Sequence, residues 1–147
     1  MPALAADRQT PMYRGEILRQ AAAAALIYAG SLVVRNATGY LTKGTTTTGQ
    51  IGVGRAEERV DNAGGAAGDK LVSVRPGSFR FGNSASADLL TIADIGKACW
   101  VVDDQTVART SATTTRSRAG IVRDVDAQGV WVELNEALTR VATVTAA

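Results

Sequence analysis

Short apolar segments alternate with turn-forming residues along most of the chain. The alternation is clearest in residues 70–75, where Leu71 and Ser73 fall on one face of an extended chain and Val72 and Val74 on the other. A period of two residues is typical of β-strands. Similar segments, most of them rich in β-branched residues, lie at residues 26–28, 31–35, 40–42, 50–55, 78–81, 98–103, 106–110, 120–125 and 130–134. We therefore expect an all-β fold.

Turn residues separate these segments at short intervals. The sequence NATG at residues 36–39 predicts a hairpin, Pro76 and Gly77 turn the chain, and residues 126–129 join the last two strands. Turn signals that return about every 8 to 12 residues are typical of a sandwich or a barrel. We expect a small single-domain β-sandwich or barrel, jelly-roll-like. The pattern does not decide between a sandwich and a barrel.

At most one short helix fits this pattern. Its best candidate is residues 89–95, as a short helix or a single turn that Gly96 would close. The five alanines at residues 21–25 favour a helix by propensity, but the run is too short for a stable isolated helix and stays ambiguous. Gly52 and Gly54 lie inside a strand pattern, where glycine indicates a bulge or the close approach of another backbone.

Three parts follow from this pattern: an extended N-terminal arm (1–15), a β domain (16–134) and a C-terminal tail (135–147). The tail could be a short helix, a strand or disordered. The arm has neither helical nor strand periodicity, so it is either a frayed terminus or a segment that lies along a neighbouring subunit. Its apolar, aromatic and cationic residues are the ones expected to bind a partner: Leu4, Arg8, Met12, Tyr13 and Arg14.

Bulk composition narrows the range of partners. The chain has 147 residues, enough for one core, and 16 basic against 14 acidic residues give a formal net charge of +2. Charges of opposite sign alternate locally, so no direct nucleic-acid partner is expected. The apolar run at residues 21–34 is too short to cross a bilayer, and we expect no membrane partner and no export signal.

The chain lacks the usual catalytic constellations. It has no histidine, which removes the Ser-His-Asp triad, the Cys-His pair and most zinc sites. No serine lies three residues before a lysine, as a Ser-x-x-Lys signature would require. Asp103, Asp104, Asp124 and Asp126 could converge on a hard cation or act as an acid/base pair, although Asp at strand ends more often caps turns. We expect a non-enzymatic protein without cofactor or metal.

Three side chains are expected inside the core. Cys99 is the single cysteine, so it cannot form an intramolecular disulfide, and it is interpreted as a small buried hydrophobe. Trp100 and Trp131 each lie beside valine in a β-rich segment, which favours core packing over stacking on a ligand.

Five segments carry a resemblance to a known family: MPALAADR (1–8), IYAGSLVV (27–34), VGRAEERVDN (53–62), ADIGK (93–97) and VVDDQTVA (101–108). They resemble the small decoration, or cement, proteins of tailed-bacteriophage capsids. The resemblance covers most of residues 1–134 and rests on strand and turn texture rather than on a signature motif.

The resemblance implies a β-structured structural protein that forms homodimers or homotrimers and binds the major capsid protein at symmetry axes of the shell. It would reinforce the shell on the virion exterior, after synthesis in the bacterial host cytoplasm. No site residue is transferred from the family. The arm could add a strand to a neighbour's exposed edge. The alternative function is a ligand-binding β module, for carbohydrate or nucleic acid, that stacks its ligand on an exposed tryptophan.

Overall fold

The computed structural model describes residues 3–10 and 16–145. The strands are β1 (Leu18–Ala21), β2 (Leu26–Ile27), β3 (Leu32–Arg35), β4 (Leu41–Lys43), β5 (Ile51–Ala56), β6 (Val60–Asp61), β7 (Leu71–Arg75), β8 (Gly77–Phe81), β9 (Ala98–Val101), β10 (Val107–Ala108), β11 (Arg118–Asp126) and β12 (Gly129–Leu134). Two single turns of 3₁₀ helix, Ser86–Asp88 and Ile92–Asp94, precede β9, and helix α1 spans Glu136–Thr145. The predicted all-β fold with at most one short helix is confirmed, but the helix lies near the C-terminus, and residues 89–95, its best candidate, form only a single 3₁₀ turn.

The first half of the chain folds into five neighbouring strands, β1, β7, β5, β3 and β4, which we call the N-terminal ring. Its two end strands, β1 and β4, meet at a single bridge between Ala22 and Leu41, where the Ala23 N–H donates to the Leu41 carbonyl at 2.8 Å. The short pair β2–β6 lies outside this sheet and contributes Ile27 and Val60 to the core that the ring surrounds.

The second half repeats the plan with β8, β12, β11, β9 and β10, the C-terminal ring. Its end strands are linked through Gly82, whose N–H donates to the Gln105 carbonyl at 2.7 Å and whose carbonyl accepts from the Val107 N–H at 3.0 Å. Each ring is therefore closed by one bridge rather than by a full ladder. The ten-stranded sheet as a whole remains open.

The two rings meet along β5 and β11, which pair in parallel at Ile51 and Arg118. A Cβ atom on Gly52 would overlap the Ala119 carbonyl, so this seam needs a residue without a side chain. The close backbone approach predicted for Gly52 is thus confirmed. Helix α1 packs against both seam strands and covers the junction.

Each ring surrounds its own hydrophobic core, and β3 contributes to both. Val33 packs in the core of the N-terminal ring with Val53 and Val72. Its neighbours Leu32 and Val34 pack in the core of the C-terminal ring. The strand period of two residues explains the division, because successive side chains point to opposite faces.

The C-terminal tail, for which three forms were open, is the helix α1. Asn135 precedes it and accepts a hydrogen bond from the Leu138 N–H at 3.0 Å, which satisfies a donor of the first turn. Arg35 on β3 binds Glu136 at 2.7 Å, and Arg118 on β11 donates to the Ala142 carbonyl at 2.8 Å. The sheet therefore holds the helix near both ends, with a cation at the negative end of its dipole.

Candidate functional site

The residues predicted to bind a partner lie only partly within the described structure. Residues 3–10 are exposed throughout, and the Leu4 side chain is 72% exposed. Arg8 is exposed on the same segment, and within the described chain neither residue forms a hydrogen bond or ion pair with the β domain. Met12, Tyr13 and Arg14 lie outside the described residues. The binding role of all five stays a prediction.

An ion-pair cluster fixes the first strand just after the arm. Arg75 on β7 binds Glu16 and Glu57, each at 2.7 Å, and Arg55 binds Glu57 at 3.0 Å. The hydrogen bonds from Arg75 and Arg55 hold the pKa of the Glu57 carboxyl below its ordinary value. Glu16, which follows the arm in sequence, is thus bound to the β domain through Arg75.

Strand β8 has one edge that no other described strand covers. Phe81 and Phe79 lie opposite Val130 and Val132 of β12, while Gly82 bonds to the opposite side, toward β10. Because the peptide groups of a strand alternate in direction, Ser78 and Arg80 turn their N–H and carbonyl groups the same way as Gly82 does, away from β12. The β10 contact ends at Gly82, so this edge presents two donors and two acceptors.

The prediction that both tryptophans lie in the core is wrong. Trp100 and Trp131 are half-buried on the outer face of the C-terminal ring. The reason is strand alternation: Cys99 and Val101 on either side of Trp100 are fully buried, so the indole between them points outward. Val130 and Val132 likewise flank Trp131 and are fully buried.

An arginine covers each indole. The Arg118 guanidinium lies 4.8 Å from the Trp100 ring centroid, and Arg80 lies 5.7 Å from that of Trp131. The Trp131 Nε1–H also donates to Asp126 at 3.0 Å, which lowers the pKa of that carboxyl. The side chains that could stack on a ligand are therefore already engaged within the protein.

Arg118 is the most enclosed of these cations. It is 8% exposed, no described carboxylate forms an ion pair with it, and burial lowers its pKa. Its charge is balanced by the Trp100 ring and by the carbonyl end of α1. A cleft of about 280 Å³ lies beside the Trp100 and Arg118 side chains.

An apolar turn, formed by residues 86–96, projects from the C-terminal ring. Its anchor is Leu90, which is 2% exposed, whereas three aliphatic side chains are between 42% and 76% exposed: Leu89, Ile92 and Ile95. The turn is rigid, since the Thr91 N–H donates to Asp94 at 2.9 Å and Arg109 binds the same carboxyl at 3.3 Å. Burial raises the pKa of Asp94, but these contacts outweigh it and hold the pKa below its ordinary value. The spacing of three residues was a signal for this exposed face that sequence reasoning missed.

Of the four aspartates considered for acid/base or cation chemistry, Asp103 and Asp126 cap turns with their side chains, whereas Asp124 lies within β11. Asp103 accepts from the Gln105 N–H and Asp126 from the Gln128 N–H, at 2.9 and 2.8 Å. Asp124 accepts from the N–H of the following residue at 2.8 Å, and Asp104 has no described side-chain partner. In residues 3–10 and 16–145, no group of three or more potential ligands could hold a metal ion.

Cys99 is fully buried, as predicted. Burial raises the pKa of its thiol to about 12. The thiolate that reacts with oxidants and electrophiles is therefore scarce at neutral pH, and Cys99 acts as a packing residue.

Comparisons with known proteins found no matching family model, no matching curated protein and no matching solved structure. None of the described helices is long and apolar enough to span a lipid bilayer. The candidate functional surface consists of the exposed arm and three features of the C-terminal ring: the β8 edge, the apolar turn and the arginine-covered tryptophans.

Proposed function

We propose that this protein is a capsid decoration protein of a tailed bacteriophage. It binds the outside of the head as a homo-oligomer, contacts the major capsid protein and stabilises the shell. In this role the protein is a structural component of the virion and catalyses no reaction.

One observation carries the proposal: an exposed arm precedes a β domain whose strands are held by hydrogen bonds and ion pairs from the first strand onward. Residues 3–10 combine a 72% exposed leucine with Asp7 and Arg8, and they form no described bond with their own β domain. Such a segment can place its backbone and side chains on a neighbouring protein. The sequence resemblance to decoration proteins points to a decorated shell, in which that neighbour is the major capsid protein or an adjacent copy of this chain.

Repetition makes weak contacts sufficient for this role. A decoration protein meets many identical sites on a symmetric shell, so modest single contacts through an arm and an apolar turn add up to stable attachment. The exposed Leu89, Ile92 and Ile95 side chains lie on a rigid turn and can be buried against the shell with little loss of conformational entropy.

The experiment mixes purified full-length protein with expanded tailed-phage capsids that lack decoration. We expect binding that saturates at a stoichiometry set by the symmetry axes, and a higher temperature of shell disruption. Leu4→Asp and Arg8→Glu should weaken binding, whereas Leu71→Ser, at a 44% exposed leucine of β7, serves as the matched control. Absence of saturable binding by the full-length protein would contradict the proposal.

The half-exposed tryptophans favour a second candidate, a ligand-binding β module. Trp100 lies beside a cleft, and a sugar or base could stack there if Arg118 moved aside. Titration with oligosaccharides and single-stranded oligonucleotides should then shift the tryptophan emission, and the shift should disappear in Trp100→Phe. An unchanged emission spectrum at saturating ligand would eliminate this candidate.

A further inference from the structure

We propose that the uncovered edge of β8 accepts residues 3–10 of a second copy as an added strand. The inference rests on the partner-binding role proposed for the arm, and it names both the acceptor and the donor. It concerns contact between copies, which does not require the shell.

The acceptor is a short length of strand edge with outward-facing backbone N–H and carbonyl groups. Ser78 and Arg80 direct their N–H and carbonyl groups away from β12, and their side chains are exposed. Beyond Phe81 the edge is occupied, because Gly82 bonds to Gln105 and Val107. The open part is thus confined to β8 itself, a length of about 17 Å for five residues, which an extended segment of eight residues can cover.

The donor can meet this edge in an antiparallel register that sets Asp7 opposite Ser78. Residues that lie opposite each other in a sheet point to the same face. If Asp7 falls on the face of Ser78 and Arg80, its carboxylate lies next to the Arg80 guanidinium. Leu4 and Ala6 then fall on the other face, where Phe79 and Phe81 pack against the core of the C-terminal ring. In this register Asp7 lies diagonal to Arg80, Ala6 and Leu4 lie opposite Phe79 and Phe81, and Arg8, which shares their face, lies opposite Gly77 at the end of β8.

A second copy is the occupant because each copy carries both halves of the contact. Residues 3–10 lie exposed and without a described bond to their own β domain, and among the described residues no strand pairs with the β8 edge of the same copy. Exchange between copies pairs the open edge of one with the free segment of the other. Because the donor arm and the acceptor strand β8 are different surfaces of the chain, the contact joins unlike surfaces and can continue around a symmetry axis.

The test is a cysteine scan between copies in solution, without capsids. One sample of the full-length protein carries Ser78→Cys, and a second carries a single cysteine at one position from 3 to 9. Cross-linking of the mixture should alternate, with efficient disulfide formation at the odd positions Ala3, Ala5, Asp7 or Gln9 and little at the even ones. In the control, Gly64→Cys replaces Ser78→Cys. Its new side chain would stand in open space, so its cross-linking gives the yield due to random collision. Cys99 does not interfere, because it is fully buried.

A backbone variant provides an independent arm of the test. Arg80→Pro deletes the outward N–H of β8 without removing a bond to β12, and proline is tolerated on an edge with that orientation. It should abolish the cross-link, whereas Arg80→Ala, which keeps the N–H, should retain much of it. Circular dichroism and the melting temperature of Arg80→Pro show whether the fold is kept.

The outcomes separate this inference from the proposed function. Cross-linking that alternates supports the exchange even if capsids are not bound. Cross-linking at the collision level, without alternation, or with the even positions favoured overturns it even if capsids are bound. Disulfides that form within one chain carrying both cysteines, but not between copies, also overturn it, since the arm would then cover its own β8.

Discussion

The two rings share a plan but differ in what they expose. Each has five strands, a hydrophobic core and closure through a single bridge, at Ala22 in one and at Gly82 in the other. The N-terminal ring buries an all-aliphatic core. The C-terminal ring adds phenylalanines to its core and carries the two outward tryptophans, the apolar turn and the open β8 edge. Under the proposed function the two rings would divide the work: the first follows the arm in sequence, and the second carries the surfaces proposed for contact.

The largest effect is expected at the seam that joins the rings. Gly52→Val would drive a side chain into the Ala119 carbonyl, and backbone cannot move aside as a flexible side chain can. We expect a loss of about 4 kcal/mol or more in the free energy of unfolding, measured by urea denaturation. Gly64→Ala, in open space, is the matched control and should change stability by less than about 0.5 kcal/mol. Equal effects of the two variants would contradict the tight seam.

Substitutions at adjacent residues of β3 can perturb the two cores one at a time. Leu32→Ala should cost about 3 kcal/mol and Val33→Ala about 2 kcal/mol, because both side chains are fully buried. Hydrogen exchange should locate the damage: faster amide exchange in β9, β11 and β12 for Leu32→Ala, and in β5 and β7 for Val33→Ala. The same exchange pattern in both variants would mean that the rings behave as one cooperative unit.

Helix α1 covers both rings, and Arg118 holds its end. Arg118→Met keeps the aliphatic stem but loses the bond to the Ala142 carbonyl and the charge over Trp100. We expect about 1 to 2 kcal/mol of destabilisation, faster exchange of α1 amides and a shifted Trp100 emission. Arg140→Met removes only an exposed pair with Glu136 and should cost about 0.5 kcal/mol or less. If Arg118→Met lowered the free energy of unfolding no more than Arg140→Met does, the anchoring role of Arg118 would be refuted.

The smallest effect is a difference in acid sensitivity within the C-terminal ring. The folded-state pKa of Asp94 is lowered, so its contribution to stability is fully present above the unfolded-state pKa, about 3.9, and is lost as the pH falls through the folded value. Urea denaturation at pH 7 and pH 3 should show a smaller acid loss in Asp94→Asn than in the natural chain, by about 1 kcal/mol. An identical loss would show that Asp94 is not held in its charged form.

Much of the fold could be predicted from the sequence because local signals agree with it. The hairpin at Asn36 forms as expected, since the Asn36 side chain accepts from the Thr38 and Tyr40 N–H groups. Val72 and Val74 are buried on one face of β7, as their alternation predicts. The division into two rings could not be predicted, because the bridges at Ala22 and Gly82 join positions far apart in the chain.

The surface was harder to predict than the core. Trp100 and Trp131 are expected in the core because each lies beside valine in a β-rich segment, but the alternation that buries those valines turns the indoles outward. The open edge of β8 depends on where β10 stops, which only the tertiary structure decides. Leu4 and Arg8 are exposed, as a partner-binding arm requires, while their partner stays a prediction.

Single-particle electron microscopy of expanded capsids mixed with the full-length protein tests the central claim most directly. The account predicts symmetric density on the outside of the shell, with the C-terminal ring in contact and residues 3–10 of each copy running along β8 of the next. Shells that show no added density at saturating protein, or bound copies that touch the shell only through the N-terminal ring, would contradict it.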